Sequence, residues 1–270
     1  GEYLFKMTAV ALGLDKSLTP GRYNFSGKTS IYKILQKFKN RDFASAMITI
    51  PEGLTVNKIA GIFAQALGID SVSFVNRAFD TVYIQNQYGL NNMEGYLFPE
   101  TYKVPYGTKI DGIIEMMYNQ LNESAGSILD SGEKDNYTRN QLMTLASIIT
   151  AEAMLNDEMG LISSVYHNRL NQKMLLQADP TVIYAIGGLD RPLWYRDLKF
   201  DSPYNTYKYK GLPPGPINSP GLNAIKAAVN PETSEFLYFV ADGTGRHIFS
   251  KTLREHNNAK NKIKKEKRNN

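Results

Sequence analysis

The chain has 270 residues, 42% hydrophobic and 21% charged, which suits a globular protein with one large or two ordinary domains. Cysteine is absent, which excludes disulfides and thiolate chemistry, and three histidines leave little for zinc. The net charge of +5 belongs to one end: the last eleven residues hold six Lys/Arg and one Glu, and the remainder balances at 25 basic and 25 acidic, so the footprint of a nucleic-acid binder is missing.

In chain order, "GRYNF" at 21–25 reads as a strand and 29–39 as an amphipathic helix. "AMITI" at 46–50 is a second strand, followed by a turn at Pro51-Glu52-Gly53. A helix is predicted over Thr55 to Leu67, with Val56, Ile59, Ile62, Phe63 and Leu67 inward, and a short one over Ser71 to Phe79. Together these make a small α+β module of about 80 residues. Residues 84–108 turn to aromatics, proline and turn signals. A helix from Lys109 to Leu121 leads into a polar loop at 122–136.

Thr138 followed by Gln141 is a capping-box pattern and opens the next helix. Glu152 lies at i+3, i+4 and i+7 from Ile149, Ile148 and Leu145, where a structural helix would carry an apolar residue. A carboxyl so placed is desolvated, its pKa rises, and a carboxylic acid protonated near neutrality is what a general acid must be. Periodicity alone leaves a second reading open, a Glu at the helix end that is solvated or paired with Lys or Arg.

A further helix is predicted from about Glu158 to Leu170, and another starts near Asp179-Pro180. Residues 187–221 are rich in Gly, Pro and Tyr and without periodicity, the texture of a functional segment. Ser219-Pro220 is expected to cap a helix carrying Leu222, Ile225 and Val229. A buried strand at 235–241 and a partner at 247–250 form a hairpin across Asp242–Gly245, and the basic end reads as a frayed helix.

Several chemistries are absent from the sequence. There is no H-E-x-x-H, and His167, His247 and His256 read as surface or packing residues. There is no G-x-S-x-G elbow. Gly27-Lys28-Thr29 imitates a phosphate loop, but Arg22 stands where the first glycine is required, and Tyr23 and Phe25 crowd the loop. No apolar run of 18 residues or signal peptide is visible. The chain begins Gly1-Glu2-Tyr3, so removal of an amino-terminal segment is expected.

Three groups of strings act together: "EGYLFPETY" (94–102), "LASIITAEAMLNDEMGLISSVYHNRL" (145–170) with "MLLQADPTVIYAIG" (174–187), and "SPYNTYKYKGLPPGPINSPGLNAIKAAVNP" (202–231) with "FLYFVADGTGRHIFSKTLREHN" (236–257). In this order they resemble the endolytic murein transglycosylase (MltG, or YceG-like) family, over nearly the whole chain. The resemblance implies an α+β fold: a LysM-like, peptidoglycan-binding module within 1–85, a mixed α+β catalytic domain over 86–258 containing the Tyr/Pro/Gly-rich groove segment, and a basic tail over 259–270. It places the family's catalytic Glu on Glu152. Members commonly carry a second Glu two positions earlier, where this chain has Thr150.

The implied activity is endolytic lytic transglycosylation: cleavage of the β-1,4 bond between N-acetylmuramic acid (MurNAc) and N-acetylglucosamine (GlcNAc) on nascent strands, leaving 1,6-anhydroMurNAc ends, without metal or organic cofactor. Candidate substrate contacts are Glu94, Tyr96 and Glu100, then Gln177 and Asp179, then Tyr204, Asn205, Thr206 and Tyr207, with Asn218 and Ser219 behind a rigid Pro213–Pro216 turn. Glu94 or Glu100 is the candidate neighbour tuning the acid, though either could merely cap a turn, as Asp179 could cap its helix. Implied partners are peptidoglycan strands and peptidoglycan synthases. The implied location is the extracytoplasmic face of the bacterial inner membrane, through an anchor missing from this chain. The competing expectation is a non-catalytic peptidoglycan-binding scaffold of the wall-synthesis machinery.

Overall fold

The computed structural model describes residues 2–132 and 137–269. The chain opens with α1 (Glu2–Ala11) and α2 (Ile31–Lys39), whose Ser30 side chain caps the helix by accepting from the Lys33 N–H. The expected strand at 21–25 does not form. Its backbone makes a single contact toward the sheet, the Ala44 N–H to the Arg22 carbonyl, and Tyr23 instead packs its ring on Phe38 and Phe43.

Strand β1 (Ser45–Thr49) leads into α3 (Val56–Leu67), which ends on Gly68 in the left-handed conformation, then α4 (Ser71–Ala78) and α5 (Thr81–Tyr88). Asp70 and Asp80 cap the last two. Strand β2 (Thr101–Pro105) returns antiparallel to β1, with Ile48 opposite Tyr102. Both α5 and β2 lie where turns were expected; β2 alternates buried Tyr102 and Val104 with exposed neighbours.

Helix α6 (Ile110–Gly132) runs far past Leu121, because Ala125, Leu129 and Gly132 continue its buried face. The expected loop is therefore helical over 122–132, and its last four residues lie outside the described residues.

Helix α7 (Arg139–Glu152) is the central element. It carries the predicted capping box: the Gln141 N–H donates to the Thr138 hydroxyl, and the Thr138 N–H donates to the Gln141 side chain. Every residue from Leu142 to Ile149 is buried, since α6, α8 (Met159–Asn171), α9 (Asp179–Ile186) and α10 (Leu222–Val229) surround it. The helix thus has no single greasy face, and a helix apolar all round is one that others enclose. Thr138→Ala is expected to cost about 1 kcal/mol, read as a lower urea midpoint at constant slope.

Gly221, not Ser219, holds the position before α10, and the Ser219 hydroxyl is buried without a hydrogen-bond partner among the described residues. The hairpin forms as expected from β3 (Tyr238–Ala241) and β4 (His247–Ser250), but β3 is half-buried and shorter than predicted. Helix α11 (Leu253–Asn269) packs on this hairpin. The fold is α+β, and the described residues form two separate two-stranded sheets, a main core from Ile48 to Val229 and a small second cluster of Ala9, Leu14 and Leu35. No described helix is long and apolar enough to cross a membrane.

Candidate active site

Glu152 is the last residue of α7, and the chain leaves the helix at Ala153 in extended conformation. Its carboxyl lines a cavity of about 650 Å³ whose walls come from four places. Helix α8 supplies Tyr166 and Arg169, one helical turn apart on the same face. The approach to α9 supplies Gln177 and Asp179. The irregular segment supplies Trp194, Tyr195 and Tyr207. The hairpin and α11 close the far side with Tyr238, His247, His256 and Lys260.

Glu152 is half-buried, sheltered by protein yet open to the cavity. Burial pushes its pKa up from 4.5 to about 7, and the Asp179 carboxylate adds to the rise. Opposing this, the Tyr166 hydroxyl donates to Oε1 at 3.2 Å and Arg169 attracts the charged form. The group therefore changes protonation near neutrality, where a group that both gives and takes a proton must sit. Tyr166→Phe removes a bond that favours the carboxylate. The Glu152 pKa is expected to rise by about one unit, checked by NMR titration of the carboxyl carbon.

Asp179 is itself held: the Tyr207 hydroxyl donates to Oδ1 at 2.5 Å. Gln177 has φ +50° and donates its backbone N–H to the Thr206 carbonyl, so its exposed side chain stands at the cavity wall. Thr206 fixes this approach from beneath, accepting from the Ala178 N–H and pairing with the Thr181 hydroxyl. Asn205 bridges the Leu198 and Phe200 carbonyls and accepts from the Tyr207 N–H, which sets the ring of Tyr207.

Of the twelve residues singled out from the sequence, Glu152, Gln177, Asp179 and Tyr207 meet in this cavity. The others stand outside its lining. Glu94 is buried, accepting from the Val56 N–H at 3.1 Å and the Tyr184 hydroxyl at 3.4 Å. Glu100 caps its own neighbour, Thr101. Tyr96 donates to Asn140, and Tyr204 packs on Tyr184. Asn218 donates to the Ser147 carbonyl, and Ser219 joins Gly53 and Leu54 through its backbone. The residue that tunes Glu152 by like charge is Asp179, not Glu94 or Glu100.

Sequence reasoning missed Tyr166, Arg169, Trp194, Tyr238, His247, His256 and Lys260. His167 packs as expected, against Tyr137 and the Ala228 carbonyl. His247 and His256 instead reach the cavity. The signal for Tyr166 and Arg169 was their three-residue spacing beside a buried acid; nothing local marked the others. Among the described residues no group of three or more His, Cys, Asp or Glu could hold a metal ion.

Comparison with known proteins gives a consistent result. The chain is 37% identical over 261 residues to the endolytic murein transglycosylase of Bacillus subtilis (strain 168), covering 90% of this chain and 72% of that protein. It is 30% identical over 272 residues to the endolytic murein transglycosylase of Streptococcus pneumoniae strain D39, covering 88% of this chain but only 49% of that longer protein. The crystal structure of a yceG-like protein, lmo1499, from Listeria monocytogenes superposes with a TM-score of 0.74 at 32% identity, over 96% of this chain and 90% of that one. The model of the YceG-like family matches residues 2–262, and the chain belongs to that family.

Proposed function

We propose that this chain is a peptidoglycan lytic transglycosylase that cuts glycan strands internally, with Glu152 as its acid and base. The observation that carries this reading is a single one: a sheltered carboxyl poised near neutral pH, facing a cavity large enough for sugar residues.

The chemistry follows from that proton. Glu152 donates it to the oxygen linking MurNAc C1 to GlcNAc C4, and that C1–O bond breaks. The carboxylate left behind takes the proton of the MurNAc 6-hydroxyl, whose oxygen bonds to C1 and closes a 1,6-anhydro ring. The proton returns to Glu152, and no water is consumed. Tyr166 orients the carboxyl through its 3.2 Å bond, and Arg169 favours the charged form midway. Trp194, Tyr195 and Tyr207 offer ring faces to sugars.

A second reading has one observation in its favour. Asp179 is a second carboxylate whose charge reaches Glu152, and hydrolytic glycosidases use such pairs. Mass spectrometry of products from purified sacculi separates the two. Anhydro ends are expected; reducing ends, heavier by one water, would replace transglycosylation with hydrolysis. Intact sacculi after prolonged incubation would remove both and favour a binding scaffold.

The same reading extends to the rest of the chain. The amino-terminal region up to about residue 85 acts as a LysM-like glycan-binding module. Support comes from β1, α3 and α4 in succession, with β2 closing the sheet from Thr101–Pro105. The catalytic region expected over 86–258 lends β2 to that module's sheet and otherwise follows it, ahead of the basic tail. Nascent glycan in the cell envelope, beside the synthases at the outer face of the inner membrane, is its substrate.

A further inference from the structure

On the far side of the cavity the cleavage chemistry uses Arg169 alone. Arg169 is only 8% exposed, yet no carboxylate comes within ion-pair distance of it among the described residues. Its Nε donates to the Leu237 carbonyl at 2.7 Å and its Nη1 to the Leu176 carbonyl at 2.7 Å. Nη2 has no such bond among the described residues, and Arg169 lines the cavity. Carbonyls orient a guanidinium but leave its full charge, and buried charges are normally matched. Glu152 couples to Arg169 but changes protonation near pH 7, so it offsets that charge only in part.

Two more groups face the same space from α11. His256 tilts against Tyr238, whose ring also lies under Arg169. His256 lines the cavity with the rest of its ring, since its Nδ1 is buried and without a hydrogen-bond partner among the described residues. Lys260 follows one turn later, without a carboxylate partner among the described residues. Burial, together with the charges of Lys260 and Arg169, holds His256 below its ordinary pKa, and all three residues line the cavity.

We propose that Arg169 and Lys260, with His256 beside them in the cavity wall, form a carboxylate subsite that holds the peptide stem carried by the MurNAc residue being cut. This rests on the functional reading above. The sugars of the glycan are neutral, whereas the peptides on the lactyl groups of MurNAc bear carboxylates. Two cations lining one cavity match a carboxylate, and guanidinium with ammonium is the usual donor set for one. Arg169 also couples electrostatically to Glu152, which puts the subsite next to the reacting sugar rather than further along the strand. Peptide-bearing strands are therefore the preferred substrate over strands stripped of peptide.

Binding tests this independently of cleavage. The full chain with Glu152→Gln is titrated calorimetrically with a muramoyl-peptide fragment bearing free carboxylates, and with the same fragment as its amides. The acid form is expected to bind about tenfold tighter, and adding Lys260→Gln is expected to bring the ratio near one. Equal affinity for the two forms overturns the subsite, as does failure of both to bind. Should the unsubstituted chain leave strands uncut while the acid form still binds tighter, the cleavage reading fails and the subsite stands.

Discussion

Glu152→Gln is expected to lower the rate of strand cleavage by about 10³-fold or more, with little change in melting temperature. The amide keeps the shape of the side chain and an oxygen to accept from Tyr166, so packing at the end of α7 survives. It cannot supply or recover a proton at neutral pH. The pH profile of the unsubstituted chain is the companion result. Because burial and Asp179 raise the Glu152 pKa to about 7, the acid form dominates below that pH and activity falls tenfold per unit well above it. Asp179→Asn removes the repelling charge, the pKa of Glu152 falls, and the alkaline limb moves to lower pH. Cleavage by Glu152→Gln at the unsubstituted rate would sink the role given to this residue. An alkaline limb unmoved by Asp179→Asn would assign that limb to another group.

What could be read without coordinates was local. The capping box at Thr138 and Gln141, the end of α3 at Leu67 and the hairpin across Asp242–Gly245 are set by neighbouring residues, and they appear as read. The desolvation of Glu152 was legible for a partly different reason than the true one. Periodicity suggested one buried face, whereas four helices bury α7 all round and leave only its last residue at a cavity. Two elements that differ from expectation carry a signal in the sequence. Leu121, Ala125 and Leu129 keep a four-residue spacing through the supposed loop, and Thr101–Pro105 alternates as a strand does.

The cavity's composition was not legible, because its walls join residues up to about a hundred positions apart. Nothing near Arg169 in sequence announces that the Leu237 carbonyl will orient it. Nothing near Tyr207 predicts its bond to Asp179, 28 positions earlier. The Tyr/Asn/Thr string at 204–207 looked like four sugar contacts. One of them, Tyr207, faces the cavity, and Asn205 and Thr206 hold the backbone that aims it.

Between pH 5 and pH 8 the chain is expected to lose stability, and Glu94→Gln is expected to remove about 3 kcal/mol of that loss. Glu94 is 2% exposed, and burial pushes its pKa from 4.5 to about 7. Above pH 4.5 the unfolded chain releases this proton while the folded chain keeps it. Stability is therefore greatest below the unfolded value and falls until the pH passes about 7. Glutamine keeps an acceptor for the Val56 N–H at the start of α3 and does not titrate, so the two proteins should differ little at pH 5. Urea unfolding at both pH values measures the difference; equal losses would show that Glu94 is not titrating in this window. The residue also matters to the site, because Tyr184 of α9 donates to it and Gly95, at φ +82°, lets Pro216 approach where a Cβ would be 2.3 Å away. Glu94 and Glu152 lose their protons over the same range, so an alkaline fall in cleavage has two possible causes, unfolding or loss of the acid. Glu94→Gln separates them: its stability should hold to higher pH, while its cleavage should still fall above about 7 with the proton on Glu152.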